Sequence, residues 1–443
     1  MTSEVAVMNR LGVALASDSV ARVRILNRTK LYHADKLFML SKTRPVGVMV
    51  NSNSSLVGVP WETIIKVFRN YLGPHGFESL QDYSGELVRF LNGSAELFPQ
   101  DAQDQVFLEL FSAYLHELDE RIMAQTLMRA MRDGKKDVHA AVTDEVIKAA
   151  LQQWESSPQI QENDFPLDSG DAMVSRLSGK IAECIGSTQI PFNAEQQSAL
   201  LRIARLIVTK QLAVNDGMSG LVIAGFGEKD HFPVLQELQF YGVYAGRVKC
   251  REVSVAKVTH TEPAQIRTFA QSEVVDTFLY GCSPALYGLI MEEVSAVLVG
   301  QADVIVDGFP TTRKAKKNEY KEIVRTSMKD VAVELLRDIG KRRVERYYEP
   351  VVGAIEHLPK SELAHVAATL VSLSSFQKRV SLSEDETVGG PVDVAVITKG
   401  DGFVWVDRKH YFKADLNPHY FSNRFANFAA PARTTDRQLG DQS

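Results

Sequence analysis

The sequence predicts an α+β fold in which the first and last strands share one sheet. Three observations carry this. Short apolar runs broken by polar turn residues crowd the first fifty positions; a long central stretch switches to charged, helix-period sequence; and strand-type runs return between and after the helices.

Taken in order, Val5-Ala6-Val7-Met8 and Gly12-Val13-Ala14-Leu15-Ala16 flank Asn9-Arg10-Leu11 and read as a hairpin of buried strands. Lys36 to Leu40 and Val46 to Val50 form a second pair around a turn at Ser41 to Pro45. Pro60-Trp61-Glu62 opens a helix through Tyr71, since proline suits a first helical turn, and a further helix covers Leu80 to Leu91. Beyond Gly93, Phe107, Leu108, Leu110, Phe111, Tyr114 and Leu115 recur on one helical face, and Met123 to Met131 continues in that style. Ser157 to Asp171 reads as a loop, and 173–186 and 194–213 as helices. Strands are expected at Ser219 to Phe226, Leu235 to Gly246 and Arg247 to Val258, and helices at Ala285 to Val299, 317–347 and Ser361 to Val380. Val392 to Thr398 and Phe403 to Val406 enclose Lys399-Gly400-Asp401-Gly402, and Asp-Gly between apolar runs is a strong hairpin signal. There is no internal repeat.

Composition narrows the function. With 443 residues, 45% hydrophobic and 24% charged, the chain has the make-up of a protein with a substantial core. A net charge of −5 does not call for nucleic acid or an anionic membrane as partner. Three distant cysteines, Cys184, Cys250 and Cys282, argue against a disulfide framework and for a reducing cytoplasmic setting. No signal peptide or membrane-spanning run is read, and the ten histidines show no metal-ligand spacing, so neither metal nor cofactor is expected.

The N-terminus carries the chemistry. Removal of Met1 leaves Thr2 with a hydroxyl and a free amine on one residue, a weak nucleophile beside its own base. A lysine nearby disfavours protonation of that amine, and Lys36 is available for it. Asp18 is placed to keep the lysine charged and oriented.

These residues resemble the proteasome β-subunit and its HslV-like relatives, the N-terminal-nucleophile hydrolases. Thr2 to Val7 resembles the family's opening strand, Gly12 to Ser19 its second strand and aspartate turn, and Ala34 to Leu40 the strand bearing its lysine. Leu221 to Tyr244 is similar to the middle hairpin, Gly281 to Gly288 to the helix-opening Gly/Ser turn, and Asp385 to Thr398 to the closing loop and strand. The matches fall in family order across about half of the chain.

The resemblance implies a four-layer αββα sandwich and hydrolysis of amide bonds, with peptide or unfolded protein as substrate. It makes Thr2 nucleophile and base, Lys36 its electrostatic partner, Asp18 the orienter of Lys36, Ser52 the backbone donor to the oxyanion and Asp385 the support for the amine. It also implies a homo-oligomer, with an unfoldase or regulator as a further candidate partner. Around these residues the pattern departs from the family. Ser52 stands for a glycine, Gly281 or Cys282 for a serine, Val388 for a second serine and Val20 for an arginine. The core becomes 1–92, 217–290 and 351–414, with helical insertions at 93–216 and 291–350 and a loosely ordered tail at 415–443. The competing readings are a non-catalytic assembly or binding subunit and an amidase acting on a small molecule.

Other features have plainer readings. Ser283 is a helix N-cap, Cys282 a small buried residue and Gly225-Phe226-Gly227 a turn. Arg313-Lys314-Ala315-Lys316-Lys317 and Lys341-Arg342-Arg343 read as a solvated helical face, with a docking patch for an acidic partner as the alternative.

Overall fold

Alternation along the first strand organises the structure. In β1 (Ser3–Asn9) every residue is buried, yet successive side chains serve different cores. Val5 and Val7 pack against helices, whereas Ala6 and Met8 face a second sheet.

The computed structural model describes residues 3–25, 28–133, 138–160, 165–166, 168–212, 214, 217–308, 314–381, 389–410, 412–413, 415–419 and 422. The chain separates into two units, Met1–Asp407 and Arg408–Ser443, and every element named below belongs to the first. After β1 come β2 (Gly12–Ser17), β3 (Val20–Ile25), β4 (Arg28–His33), β5 (Leu37–Met39), β6 (Val46–Ser52), β7 (Ser55–Leu56) and β8 (Val59–Pro60). Helices α1 (Trp61–Leu72), α2 (Leu80–Gly93), α3 (Gln100–Asp133), α4 (His139–Ser156), α5 (Ser169–Arg176), α6 (Ser178–Gly186) and α7 (Ala194–Thr209) follow. Strands β9 (Ser219–Gly225), β10 (Val234–Tyr244), β11 (Arg247–Lys257) and β12 (Ala264–Ala270) lead to α8 (Glu273–Tyr280), α9 (Pro284–Asp307) and α10 (Lys314–Arg343). A π-helical turn (Val344–Tyr348), α11 (Glu349–Glu356), α12 (Lys360–Val380), β13 (Asp393–Thr398) and β14 (Gly402–Asp407) complete the unit.

The result is a mixed α/β structure with antiparallel sheets. One sheet runs β12-β1-β2-β13-β14 and the other β11-β10-β9-β6-β5. The first and last strands therefore do share a sheet, through the Asp393↔Ser17 to Ile397↔Val13 register of β13 on β2. Met8, Val13, Leu15 and Ile397 of the first sheet meet Leu37, Met49, Val222 and Leu235 of the second in a fully buried seam. Each such aliphatic side chain contributes roughly 1.5–3 kcal/mol by leaving water. On its other face the first sheet packs against α8, α11 and α12 through Val275, Ile355 and Leu363, and the second against α1 and α2 through Trp61, Ile64 and Leu87.

Helices α3, α4, α5, α6 and α7 build a further cluster that also takes in Tyr241 and Tyr244 of β10. Phe107, Phe111, Leu115, Leu118 and Ile122 recur at three- and four-residue spacing along α3 and meet Val146, Trp154, Ile181 and Leu200. The end of that helix differs from the sequence reading: Met128 and Met131 are 72% and 76% exposed, so its apolar pattern there faces solvent. Three further differences have physical reasons. The hairpin β3–β4 is absent from the sequence reading because its Arg and Lys residues mask the alternation. β12 is absent from it because its partner β1 lies more than 250 residues away, beyond any local pattern. The helix expected over 173–186 is two helices meeting at Leu177, and α5 begins inside the stretch read as loop. No helix among the described residues is long and apolar enough to cross a membrane.

Candidate active site

The start of β1, the end of β2 and the entry to β5 converge on Asp18. Its backbone N–H continues the β1–β2 ladder to the Ser3 carbonyl at 3.1 Å, which turns its side chain back toward the start of β1. The carboxylate then accepts four hydrogen bonds. Oδ1 receives the Ser3 N–H at 3.1 Å and the Lys36 ammonium at 2.7 Å. Oδ2 receives the Val20 N–H at 3.3 Å and the Gly389 N–H at 3.1 Å.

Lys36 lies one residue before β5 rather than inside a strand. Its carbonyl accepts from Val50 at 2.8 Å, tying it to β6, and the Ala34 N–H reaches the Ser19 carbonyl at 2.8 Å. Its ammonium donates to Asp18 and to the Val20 carbonyl at 2.6 Å. Both side chains are nearly out of solvent, with relative exposures of 8% for Lys36 and 0% for Asp18. A buried pair of this kind needs its remaining valences satisfied, and backbone groups supply them.

The end of the closing loop is pinned to the same place. Ser19 donates its N–H to the Gly389 carbonyl at 3.2 Å and its hydroxyl to the Pro391 carbonyl. Gly390 has φ of +76°, and a side chain there would place Cβ 2.9 Å from the His33 ring. Glycine is required for that approach.

On the facing sheet, β6 ends at Ser52 with φ of +64°, a left-handed conformation that costs a non-glycine residue about 1–2 kcal/mol. Beside it, Asn51 is buried and spans the inter-sheet space. Ser52 donates its hydroxyl to Asn51 Oδ1 at 3.3 Å, and Asn51 Nδ2 lies 3.5 Å from Glu4 Oε2. Glu4 is 1% exposed on the same strand face as Ala6 and Met8, and burial pushes its carboxyl up to about 8.

Of the residues named from sequence, Asp18 and Lys36 are in direct contact, and Ser52 closes the neighbouring strand. Thr2, Asp385 and Val388 lie outside the described residues. Val20, in the arginine position, takes part through both backbone groups. Gly281 ends α8 in a left-handed conformation, and Ser283 caps α9 by accepting from the Leu286 N–H, as read from sequence. Cys282 is half-buried rather than buried, and its sulfur accepts from Arg343 at 3.5 Å. Gly225 to Gly227 leads into a turn, with the Gly227 N–H on Asp230 at 2.8 Å. Glu4, Asn51 and Gly389 were not found from sequence. The available signal was an acid at an inward position of an otherwise apolar strand.

No family model matches the chain, and no curated protein matches it. Among solved structures it is similar to an Anbu mutant from Hyphomicrobium sp. strain MC1, at 8% identity and a TM-score of 0.28 over 97% of this chain and 98% of that one. It is similar to Anbu (ancestral beta-subunit) from Yersinia bercovieri, at 10% identity and 0.26 over 99% of each. A helical assembly of the Anbu complex from Pseudomonas aeruginosa gives 9% and 0.26 over 97% and 98%. These values are too low to assign the chain a family or to argue from. The sequence-derived resemblance to proteasome β-subunits and HslV is corrected: no model of that family and no curated protein matches the chain, and the solved structures named above are Anbu proteins.

Proposed function

We propose that the chain is a threonine-type amide hydrolase acting on peptides, with Thr2 as nucleophile once Met1 is removed. The observation that carries this is the bonding of Asp18, whose Oδ1 holds both the Lys36 ammonium and the N–H of Ser3, the residue joined directly to Thr2. The carboxylate that fixes the lysine thereby also fixes the chain next to the nucleophile.

In the proposed reaction the Thr2 amine takes the hydroxyl proton as the oxygen attacks the carbonyl carbon of the scissile amide. Lys36 has three ammonium hydrogens, two of them directed to Asp18 and the Val20 carbonyl, and its charge disfavours a protonated amine beside it. The backbone N–H of Ser52 stabilises the oxyanion, and a left-handed residue at a strand end is a suitable way to turn a donor out of the ladder. Collapse breaks the C–N bond, the protonated amine returns its proton to the leaving amine, and water attacks the acyl ester with the same base. Asp385 supports the amine from the closing loop, whose end is tied to Asp18 through Gly389.

The fold belongs to this reading as a four-layer αββα sandwich of the N-terminal-nucleophile type, supported by three cores in series between helices, sheet, sheet and helices. Residues 93–216 and 291–350 are insertions, the first supported by the hydrophobic cluster of α3 to α7. The protein works as a homo-oligomer. Hydrolysis of unstructured peptides by the purified chain, abolished in Thr2→Ala, tests the activity; no cleavage of any peptide would sink it.

A further inference from the structure

Among the described residues, two buried carboxyl groups, Glu4 and Asp18, face Lys36, and the proposed reaction uses only Asp18 of the two. Glu4, Asp18 and Lys36 interact electrostatically in a space closed to water. One ammonium can balance only one carboxylate there, and the hydrogen bonds decide which. Asp18 accepts the ammonium and three backbone N–H groups, whereas among the described residues Glu4 has no charged donor within hydrogen-bond distance.

A count of hydrogens gives the same answer. Ser17, opposite Glu4 in the β1–β2 register, has one hydroxyl hydrogen and two oxygen neighbours. The Asp18 carbonyl is 3.1 Å away and can only accept, and Glu4 Oε1 is 3.4 Å away. The carbonyl offers that hydrogen the shorter contact. The contact with Glu4 is then a hydrogen bond only if the carboxyl carries the proton and donates it to Ser17 Oγ. On its other oxygen Glu4 accepts from Asn51, which also holds the Ser52 hydroxyl and lies across Gly220, where any Cβ would come within 2.1 Å of its Oδ1.

We propose that Glu4 is a neutral carboxylic acid at the reaction centre and acts as a positioning residue, leaving Asp18 as the counter-ion of Lys36 and anchoring, through Asn51, the left-handed Ser52 that offers the oxyanion donor. This rests on the Thr2 reading. Among the described residues, the groups facing Glu4 are the titratable Asp18 and Lys36, the neutral Ser17 and Asn51, and Phe269 paired with it on β12, with the buried Asp393 one strand beyond Ser17. When Glu4 loses its proton, a second anion faces Lys36. The amine of Thr2 then holds its proton more tightly, so less of it is free to act as base at a given pH than when Glu4 is neutral.

The sign for stability follows. A carboxyl raised to about 8 in the folded chain and ordinary in the unfolded one adds no penalty below its ordinary value. Its penalty grows as pH rises toward 8 and is constant above that.

The experiment measures the rate at which a peptide epoxyketone modifies the full chain, by intact mass, from pH 6 to 10 in wild type and Glu4→Gln. Wild type is expected to fall below Glu4→Gln in reactivity as pH passes a midpoint near 8, and the isosteric, uncharged Glu4→Gln to show no such step. The same alkaline profile in both proteins would overturn the proposal. Unfolding of the two proteins is an independent measure, since the advantage of Glu4→Gln should grow from pH 5 to 8 and then level off; curves that stay parallel refute a neutral Glu4. The 13C shift of the Glu4 carboxyl in wild type reads the proton with no substitution that could perturb folding. No adduct in either protein at any pH would overturn the Thr2 reading and the positioning role with it, while the unfolding and 13C curves would still decide the charge of Glu4.

Discussion

The Lys36 ammonium lies 2.7 Å from Asp18 Oδ1, and neither side chain has appreciable access to water. Removing one member leaves the other buried without its counter-charge, which costs about 3–5 kcal/mol. Lys36→Met and Asp18→Asn should each lower the unfolding free energy measured in urea by an amount of that order and abolish peptide cleavage. The double variant should recover much of the stability and none of the activity, because the uncompensated charge is gone while the reaction centre is still missing. If the double variant loses the sum of the two single losses, the pair contributes nothing as a pair.

Ser52 gives a second expectation. Its positive φ suits glycine, so Ser52→Gly should hold or raise stability and retain reactivity, whereas the branched Ser52→Val should destabilise by about 1–2 kcal/mol and slow acylation. Thermal unfolding and the epoxyketone rate check both. Equal rates for the glycine and valine variants would remove Ser52 from the oxyanion role.

Gly220→Ala tests the anchor of that residue. Its Cβ would come 2.1 Å from Asn51 Oδ1, so Asn51 must leave its position. Reactivity should fall by roughly tenfold while the seam between the sheets, formed by other residues, stays intact. A wild-type rate in a folded Gly220→Ala protein would show that Asn51 does not position Ser52.

Lys249 on β11 sets a pH dependence away from the site. Its ammonium is buried, donating to the Ile207 carbonyl of α7 at 2.6 Å with its nitrogen 5.0 Å from the Tyr241 ring centre. Burial lowers it from the ordinary lysine value to about 7. Between pH 7 and the ordinary lysine value, the unfolded chain binds a proton that the folded chain does not, so this residue makes stability rise with pH, by at most about 1.4 kcal/mol per unit. Below pH 7 the charging penalty is full and flat. Lys249→Met should therefore be more stable than wild type at pH 6, with the advantage shrinking by pH 9. A constant difference across that range would mean that the lysine keeps its proton when buried.

Much of this was legible in the sequence, and the limits were physical. Asp18 and Lys36 stood out because an N-terminal threonine needs a nearby cation and a carboxylate to hold it, and both lie within the first forty residues. The hairpin of β13 and β14 announced itself through Asp401-Gly402 at its turn. Glu4 did not, because its meaning depends on Asn51 and Ser17 arriving from two different strands, one of them on the opposite sheet. Gly389 carries no side chain to signal its role and reaches Asp18 from 371 residues away. The edge strand β12 was hidden for the same reason, since pairing at long sequence separation leaves no local periodicity.

The central claim is that Thr2 bears both the nucleophile and its base. Intact mass spectrometry of the purified chain, before and after a threonine-directed boronate or epoxyketone, tests it most directly. The account predicts a mass lacking Met1 and a single adduct that disappears in Thr2→Ala. A chain that retains Met1, or an adduct that survives Thr2→Ala, would contradict it, because the amine would then belong to a different residue from the hydroxyl it is meant to serve.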